Sequence, residues 1–261
     1  MIRVCVAGVT GWIGRALVPA IEAADDLRLV AGVARSVAGS SLAAAGEGRV
    51  HASVTAALDA APTDVLVDFT SATAVRSNAW AAVDAGVPVV VGSSGLTAED
   101  YRELDGLARD RGVGVIAAGN FSIQAAVLRR AAAMAAELIP AWEVIDYASA
   151  GKADVPSGTA RELAETLSGV HPPAPAIPVS ELHGPAEARG ADVAGTRVHS
   201  VRLPGFVVTT EVVFAGPGER LVMRHDPGPG AEPYLDGVLL AIRRVGGVTG
   251  VVRGLDSLLF S

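Results

Sequence analysis

Residues 2–15 read Ile2-Arg3-Val4-Cys5-Val6-Ala7-Gly8-Val9-Thr10-Gly11-Trp12-Ile13-Gly14-Arg15. A short run, apolar but for Arg3, leads into G-x-x-G-x-x-G, and a helical pattern follows over 15–23. An apolar run without alternation is what a strand covered on both faces looks like, which argues for a parallel sheet. Glycines at 8, 11 and 14 allow a tight turn and let a pyrophosphate approach the helix N-terminus. The glycine spacing alone is a weak signal. Its strand–turn–helix setting, with a second strand over 27–33, makes it a candidate dinucleotide-binding unit. The plainer alternative is an ordinary βα turn of a doubly wound sheet.

The second strand ends in Gly32-Val33-Ala34-Arg35-Ser36. An NAD-selective site usually places an acid about twenty residues past the glycines, to hold the ribose diol. Ala34 stands there, with Arg35 and Ser36 next. Arg35 can grip a 2′-phosphate in bidentate fashion. The expected cofactor is therefore NADPH, with NADH as the alternative if Arg35 is only solvated.

Working outward, strands are expected at 65–69, 88–91 and 113–117, and a helix over 72–85. The strands run into three small turns: Phe69-Thr70-Ser71, Gly92-Ser93-Ser94-Gly95 and Gly119-Asn120-Phe121-Ser122. In an open parallel sheet, ligands sit beyond the carboxyl ends of the strands. Each turn alone could be punctuation; together they are expected to meet at the nicotinamide. Trp12 is expected to shield the cofactor, or else to pack on a neighbouring loop.

Beyond a helical pattern at 123–138 and a strand at 142–147, the stretch 146–159 reads Asp-Tyr-Ala-Ser-Ala-Gly-Lys-Ala-Asp-Val-Pro-Ser-Gly-Thr. Lys152 is the only lysine in the chain. Unlike arginine, it is compact and can give up its proton. Ser157 or Thr159 can cap the helix that follows, and that helix's first N–H groups offer an anion pocket. A titratable amine beside a carboxylate-sized pocket outlines a reaction site. The plain reading is a stray surface lysine. Asp154 could orient this loop or simply be solvated.

Residues 169–197 read as a long excursion with a short strand at 177–182. Three alternating runs at 198–203, 206–214 and 220–225 suggest an antiparallel meander. A Pro-Gly hinge at 227–230 and a helix at 234–245 complete the chain. We therefore expect an α/β protein: a Rossmann-like parallel-sheet domain at 1–121, completed by 227–261, and an α+β domain with an open mixed or antiparallel sheet at 122–226.

The totals narrow the function. The chain has 261 residues, half of them apolar, and a net charge of -7, with mean hydropathy +0.41 and pI near 5.2. This favours a well-buried protein and argues against a nucleic-acid surface. No run is long enough to span a bilayer, so the expectation is a cytoplasmic protein. Cys5 lies inside the first strand and can form neither an internal disulfide nor a zinc site. The five histidines lack ligand spacing, so no metal is expected. Among them, His199 is the best placed to approach a substrate cavity, with a partly buried strand position as the alternative. Glu211, inside an apolar strand, is expected to be paired in the sheet or at a subunit contact.

Several runs resemble one family, dihydrodipicolinate (4-hydroxy-tetrahydrodipicolinate) reductase of lysine and diaminopimelate biosynthesis. They are Gly8 to Arg15, Val67-Asp68-Phe69-Thr70, Gly92-Ser93-Ser94-Gly95, Asn120-Phe121-Ser122, Lys152 to Thr159, His199 to Gly205, and Gly218-Glu219-Arg220 with Arg224-His225-Asp226. The resemblance implies hydride transfer from NADPH or NADH to a cyclic, imine-like dicarboxylate. It also implies a homotetramer built on the open sheet. The nucleotide would be bound by Gly8, Thr10, Gly11, Trp12, Ile13, Gly14, Arg35, Ser36, Phe69, Thr70, Gly92, Ser93, Ser94, Asn120 and Phe121. Ser157, Gly158 and Thr159 would hold a substrate carboxylate, with Ser149 and His199 nearby and Lys152 as the catalytic group.

One departure from the family pattern stands out. Family members carry, broadly, His-His-x-His before the lysine; this chain has Ala148-Ser149-Ala150-Gly151. The first of those histidines is taken as the acid–base residue, and the next helps to bind carboxylate. Three readings stay open at this point. The first is a reductase of a different small carboxylate, protonated by Lys152 or a neighbour such as Tyr147. The second is a lysine-pathway reductase working through Lys152, and the third a non-catalytic NADPH-binding module.

Overall fold

The computed structural model describes residues 1–41, 48–173, 175 and 177–260. These form two compact units, Met1–Ile123 with Ala231–Ser261, and Gln124–Gly230.

The first unit contains β1 (Ile2–Ala7), α1 (Trp12–Glu22), β2 (Leu27–Val33), β3 (Arg49–His51), α2 (Val54–Ala60), β4 (Val65–Asp68), α3 (Val75–Asp84), β5 (Val89–Val91), α4 (Ala98–Arg111) and β6 (Gly114–Ala117). The chain passes through α5 (Ile123–Ala136) into the second unit, with β7 (Trp142–Ala148), α6 (Gly158–Val170), β8 (Ala191–Val193), β9 (Thr196–Arg202), β10 (Val208–Gly216) and β11 (Glu219–His225). It returns to the first unit as α7 (Glu232–Val245), β12 (Gly250–Arg253) and α8 (Asp256–Leu259).

The first sheet has the order β12-β6-β5-β4-β1-β2-β3, and each neighbouring pair is parallel. Val4, Cys5, Val6 and Ala7 are wholly buried, as a strand covered on both faces requires. Strand order reverses between β1 and β4, the position where open α/β sheets bind ligands.

The second sheet has the order β11-β10-β7-β9-β8. Here the expected meander is corrected. β7 lies between β9 and β10, pairing parallel with β9 and antiparallel with β10. β7 alternates buried and half-buried positions along its length, so it takes the centre of the sheet. The connection through α6 supplies the crossover that a parallel neighbour needs. The strand expected at 177–182 is instead a 3-10 turn at Val179–Glu181. Pro175 and Pro178 withhold the N–H groups that a ladder would use. One face of this sheet packs under α5 and α6 through Trp142, Val144, Leu163, Leu167, Val198, Val212 and Phe214.

Candidate active site

The cleft beside the glycine turn is built by backbone economy. Gly8 has φ +92°, and a Cβ there would lie 2.2 Å from the Phe69 carbonyl oxygen. A Cβ on Gly14 would lie 2.1 Å from the Gly8 oxygen, and one on Gly92 2.0 Å from the Phe69 ring. Three glycines therefore let the β1 turn, the β4 turn and the β5 turn close on one another. Gly11 is the N-cap of α1, and no side chain caps that helix. Its first amides are thus left to a ligand.

Gly11, Trp12, Ile13, Phe69, Thr70, Ser71, Gly92, Ser93 and Ser94 together line a cleft of about 280 Å³. Eight of these nine residues are ones the sequence nominated. Trp12 is 51% exposed and meets Tyr234 edge-on at 5.5 Å, so it stands at the mouth of the cleft and also packs. Thr10, Arg35 and Ser36 are exposed outside this lining. Phe121 does not line it; its ring is buried against Phe69 at 5.7 Å. Asn120 accepts from the Ser122 N–H at 2.8 Å, bracing its own turn. The donor set and the glycine clearances suit a dinucleotide.

Sequence reasoning missed Asp68. It is completely buried and ties the β4 and β5 turns together, accepting from Thr70 and Ser93.

In the second unit, the Lys152 loop is clasped from below. Asp146 is completely buried. It accepts from the Ser157 N–H at 2.8 Å, the Ser157 hydroxyl at 2.7 Å, the Ser200 hydroxyl at 3.1 Å and the Arg202 guanidinium at 2.8 Å. Arg202 also donates to the Asp154 carbonyl at 2.7 Å, so it joins both ends of the loop. Lys152 lies 2.9 Å from the Asp154 carboxylate, with its side chain 28% exposed. The ammonium is therefore paired and partly covered. Ser157 caps α6 by accepting from Ala160 N–H. Both Ser157 donors are already engaged by Asp146, which makes the residue a support of the cradle; the amides of Gly158 and Thr159 open the helix. Asp146 was legible in one respect, as an acid at a core-facing position of β7 between Val144 and Ala148.

Two nominated groups stand elsewhere. His199 pairs with Ile145 in the sheet, on the face opposite Asp146. It lies 2.7 Å from Glu143, which also pairs with Arg189; this trio lines a second cavity of about 870 Å³ on that face. Tyr147 shares that side of β7. It stacks on Phe206 at 5.0 Å, with the Arg224 guanidinium 4.9 Å from its ring. Strand alternation thus turns both away from the Lys152 loop. Glu211 is paired with Arg224 at 3.0 Å across β10 and β11. Among the described residues no group of three or more His, Cys, Asp or Glu could hold a metal, and no helix is long and apolar enough to cross a membrane.

The comparisons agree with this architecture. Family models described as dihydrodipicolinate reductase, N-terminus and C-terminus, match residues 2–121 and 122–259. The chain belongs to the dihydrodipicolinate reductase family. It is an NAD(P)H-dependent oxidoreductase. The 4-hydroxy-tetrahydrodipicolinate reductase of Moorella thermoacetica is 39% identical over 99% of this chain and 98% of its own length. That of Halalkalibacterium halodurans is 38% identical, over 99% of this chain and all of its own. A dipicolinate-bound dihydrodipicolinate reductase from Paenisporosarcina sp. TG-14 superposes with TM-score 0.80 at 30% identity, covering 99% of each chain.

At the positions of the family histidines, Ala148 is completely buried and Ser149 is exposed. The Ser149 carbonyl accepts from Lys152 N–H at 3.0 Å. A Cβ added at Gly151 would meet nothing within 4 Å, so its backbone site is not what keeps a side chain from that position.

Proposed function

We propose that this reductase acts on the substrate class of its relatives, a small cyclic dicarboxylate with a C=N or conjugated C=C, as a 4-hydroxy-tetrahydrodipicolinate reductase. The carrying observation is the clasped loop, which holds the Lys152 ammonium and the first turn of α6 on one short segment. Gly158 and Thr159 hold a substrate carboxylate through their amides, while Asp146 and Ser157 fix the turn that presents them. Lys152 neutralises the negative charge that develops on the substrate and supplies its proton. The reduced nucleotide, held by the glycine turn, Phe69 to Ser71 and Gly92 to Ser94, provides the hydride. The solved relative with dipicolinate bound supports a planar dicarboxylate.

A second reading rests on Ala148, Ser149 and Gly151: without imidazoles, the pocket accepts a larger or less charged carboxylate. NADPH oxidation measured with 4-hydroxy-tetrahydrodipicolinate, and beside it a panel of cyclic imines and enones carrying one carboxylate, separates the two. Complementation of a diaminopimelate auxotroph is expected under the first reading and not under the second.

NADPH is the favoured donor, because Arg35 is an exposed cation just past β2 and no acid replaces it. Arg35→Ala is expected to lower the ratio of NADPH to NADH efficiency; an unchanged ratio removes Arg35 from the site. The open face of the second sheet, with Val222 53% exposed, supports a homotetramer, to be read by light scattering.

A further inference from the structure

Asp68 ends an otherwise apolar strand, Val65-Leu66-Val67, and is wholly buried. Its Oδ1 accepts from the Thr70 N–H at 3.2 Å, the Thr70 hydroxyl at 2.9 Å and the Ser93 hydroxyl at 2.5 Å. Its Oδ2 accepts from the Asn78 carboxamide at 2.7 Å. A peptide N–H and a carboxamide NH₂ can only donate, so both carboxyl oxygens serve here as acceptors. Among the described residues all the donors to Asp68 are neutral. A buried charge without a counterion is costly to keep, and four neutral hydrogen bonds hold it in place without cancelling its sign. Thr70 and Ser93 are themselves walls of the nucleotide cleft. The carboxylate therefore lies one hydrogen bond beneath the cleft surface.

We propose that Asp68 is an electrostatic positioning residue for hydride donation: its uncancelled negative charge favours the oxidised nicotinamide, whose ring is cationic, over the neutral reduced ring. A charge fixed in a dry, preorganised place acts most where charge develops during reaction. The same carboxylate sets the rotamers of Thr70 and Ser93, so geometry and field come from one group. This rests on the reading that the cleft holds the nicotinamide half of the cofactor.

The test is binding, measured by fluorescence or calorimetry on the full chain, with each member of the NADP⁺/NADPH pair. The rest of the cofactor is identical within the pair, so the ratio of the two Kd values reports on the ring charge. Asp68→Asn keeps the size and one acceptor. It is expected to raise Kd(NADP⁺)/Kd(NADPH) severalfold, because removing a fixed negative charge costs the cationic ring and leaves the neutral ring unaffected. Ser93→Ala, which removes a neutral donor, is expected to move both constants in parallel. Should Asp68→Asn fail to fold, the swap Asp68→Asn with Asn78→Asp keeps a carboxylate in the cluster but shifts it towards α3; there the ratio is expected to rise measurably, by less than a full loss of the charge would give. A ratio unchanged in a folded variant overturns the proposal. Failure of the natural chain to bind either nucleotide instead overturns the assignment of the cleft.

Discussion

Lys152 carries the chemistry proposed for the second unit, and its setting makes a sharp prediction. Its ion pair with Asp154 and the Asp146–Arg202 clasp place it through residues of the second unit. Lys152→Ala is therefore expected to cut turnover by roughly 100- to 10,000-fold, the usual worth of a positioned proton donor, with NADPH affinity unchanged. Steady-state rates and a binding isotherm check both halves; equal turnover removes Lys152 from the mechanism. The residue was conspicuous in the sequence because no other lysine competes with it. Asp146 stood out only as an acid at a core-facing strand position and Arg202 not at all, because a salt bridge between residues 56 apart leaves no local mark. His225 makes the second residue-scale prediction. Burial pushes its imidazole below the ordinary 6.5, against a smaller upward pull from Asp226. Above 6.5 both folded and unfolded chains hold it neutral. Below 6.5 the unfolded chain takes the proton more readily, so stability falls as pH drops towards the depressed folded value. The carboxylates held down by arginine partners, such as Asp26 and Asp64, titrate lower, below 3.8. His225→Gln is expected to flatten the urea midpoint in the window just under 6.5 while leaving the steeper acid loss below it.

At the scale of elements, the β1–α1 turn was read correctly because its requirements are local. A strand buried on both faces, three glycines and a helix follow one another within 22 residues. The mixed second sheet and its β10–β11 hairpin were read correctly, but the place of β9 was misread for the complementary reason. Alternation marks β9, β10 and β11 as strands, but only the packing of α6 decides that β7 lies between two of them. Helix α4 also escaped notice, although Thr97 and Asp100 form a capping box and Gly112 ends the helix in the left-handed region. Two glycine substitutions test how far element packing depends on clearance. Gly14→Ala would place a Cβ 2.1 Å from the Gly8 oxygen, a backbone atom that cannot swing away. It is expected to cost about 3 kcal/mol, the upper end for overpacking, and to abolish nucleotide binding. Gly106→Ala, in the middle of α4 with nothing within 4 Å, is expected to stabilise by about 0.5–1 kcal/mol. Urea titrations of the two variants should move in opposite directions from the natural chain.

At the scale of the molecule, the first unit is discontinuous in sequence, and this makes its stability depend on the returning segment from Ala231 onward. β12 extends the parallel sheet along β6, and the Val251 N–H donates to Asp105 of α4 at 2.7 Å. α7 meets the turn after β6 so closely that a Cβ on Gly237 would lie 1.9 Å from the Phe121 oxygen. Val238, Ile242, Val245 and Leu255 are all but fully buried. Each such side chain contributes roughly 1.5–3 kcal/mol, so the four together rival the whole of a typical domain stability of about 5–15 kcal/mol. The Arg243–Asp26 pair, with both side chains exposed by 40% or more, adds little. A chain ended after Gly230 therefore loses more than an edge. We expect it to show no NADPH binding and no cooperative urea transition for the first unit. The measurement is an isotherm together with unfolding followed at Trp12 and Trp80, the two tryptophans of that unit. A sharp transition with nucleotide binding retained would mean that β1 to β6 suffice for the dinucleotide fold and that the returning segment only covers it.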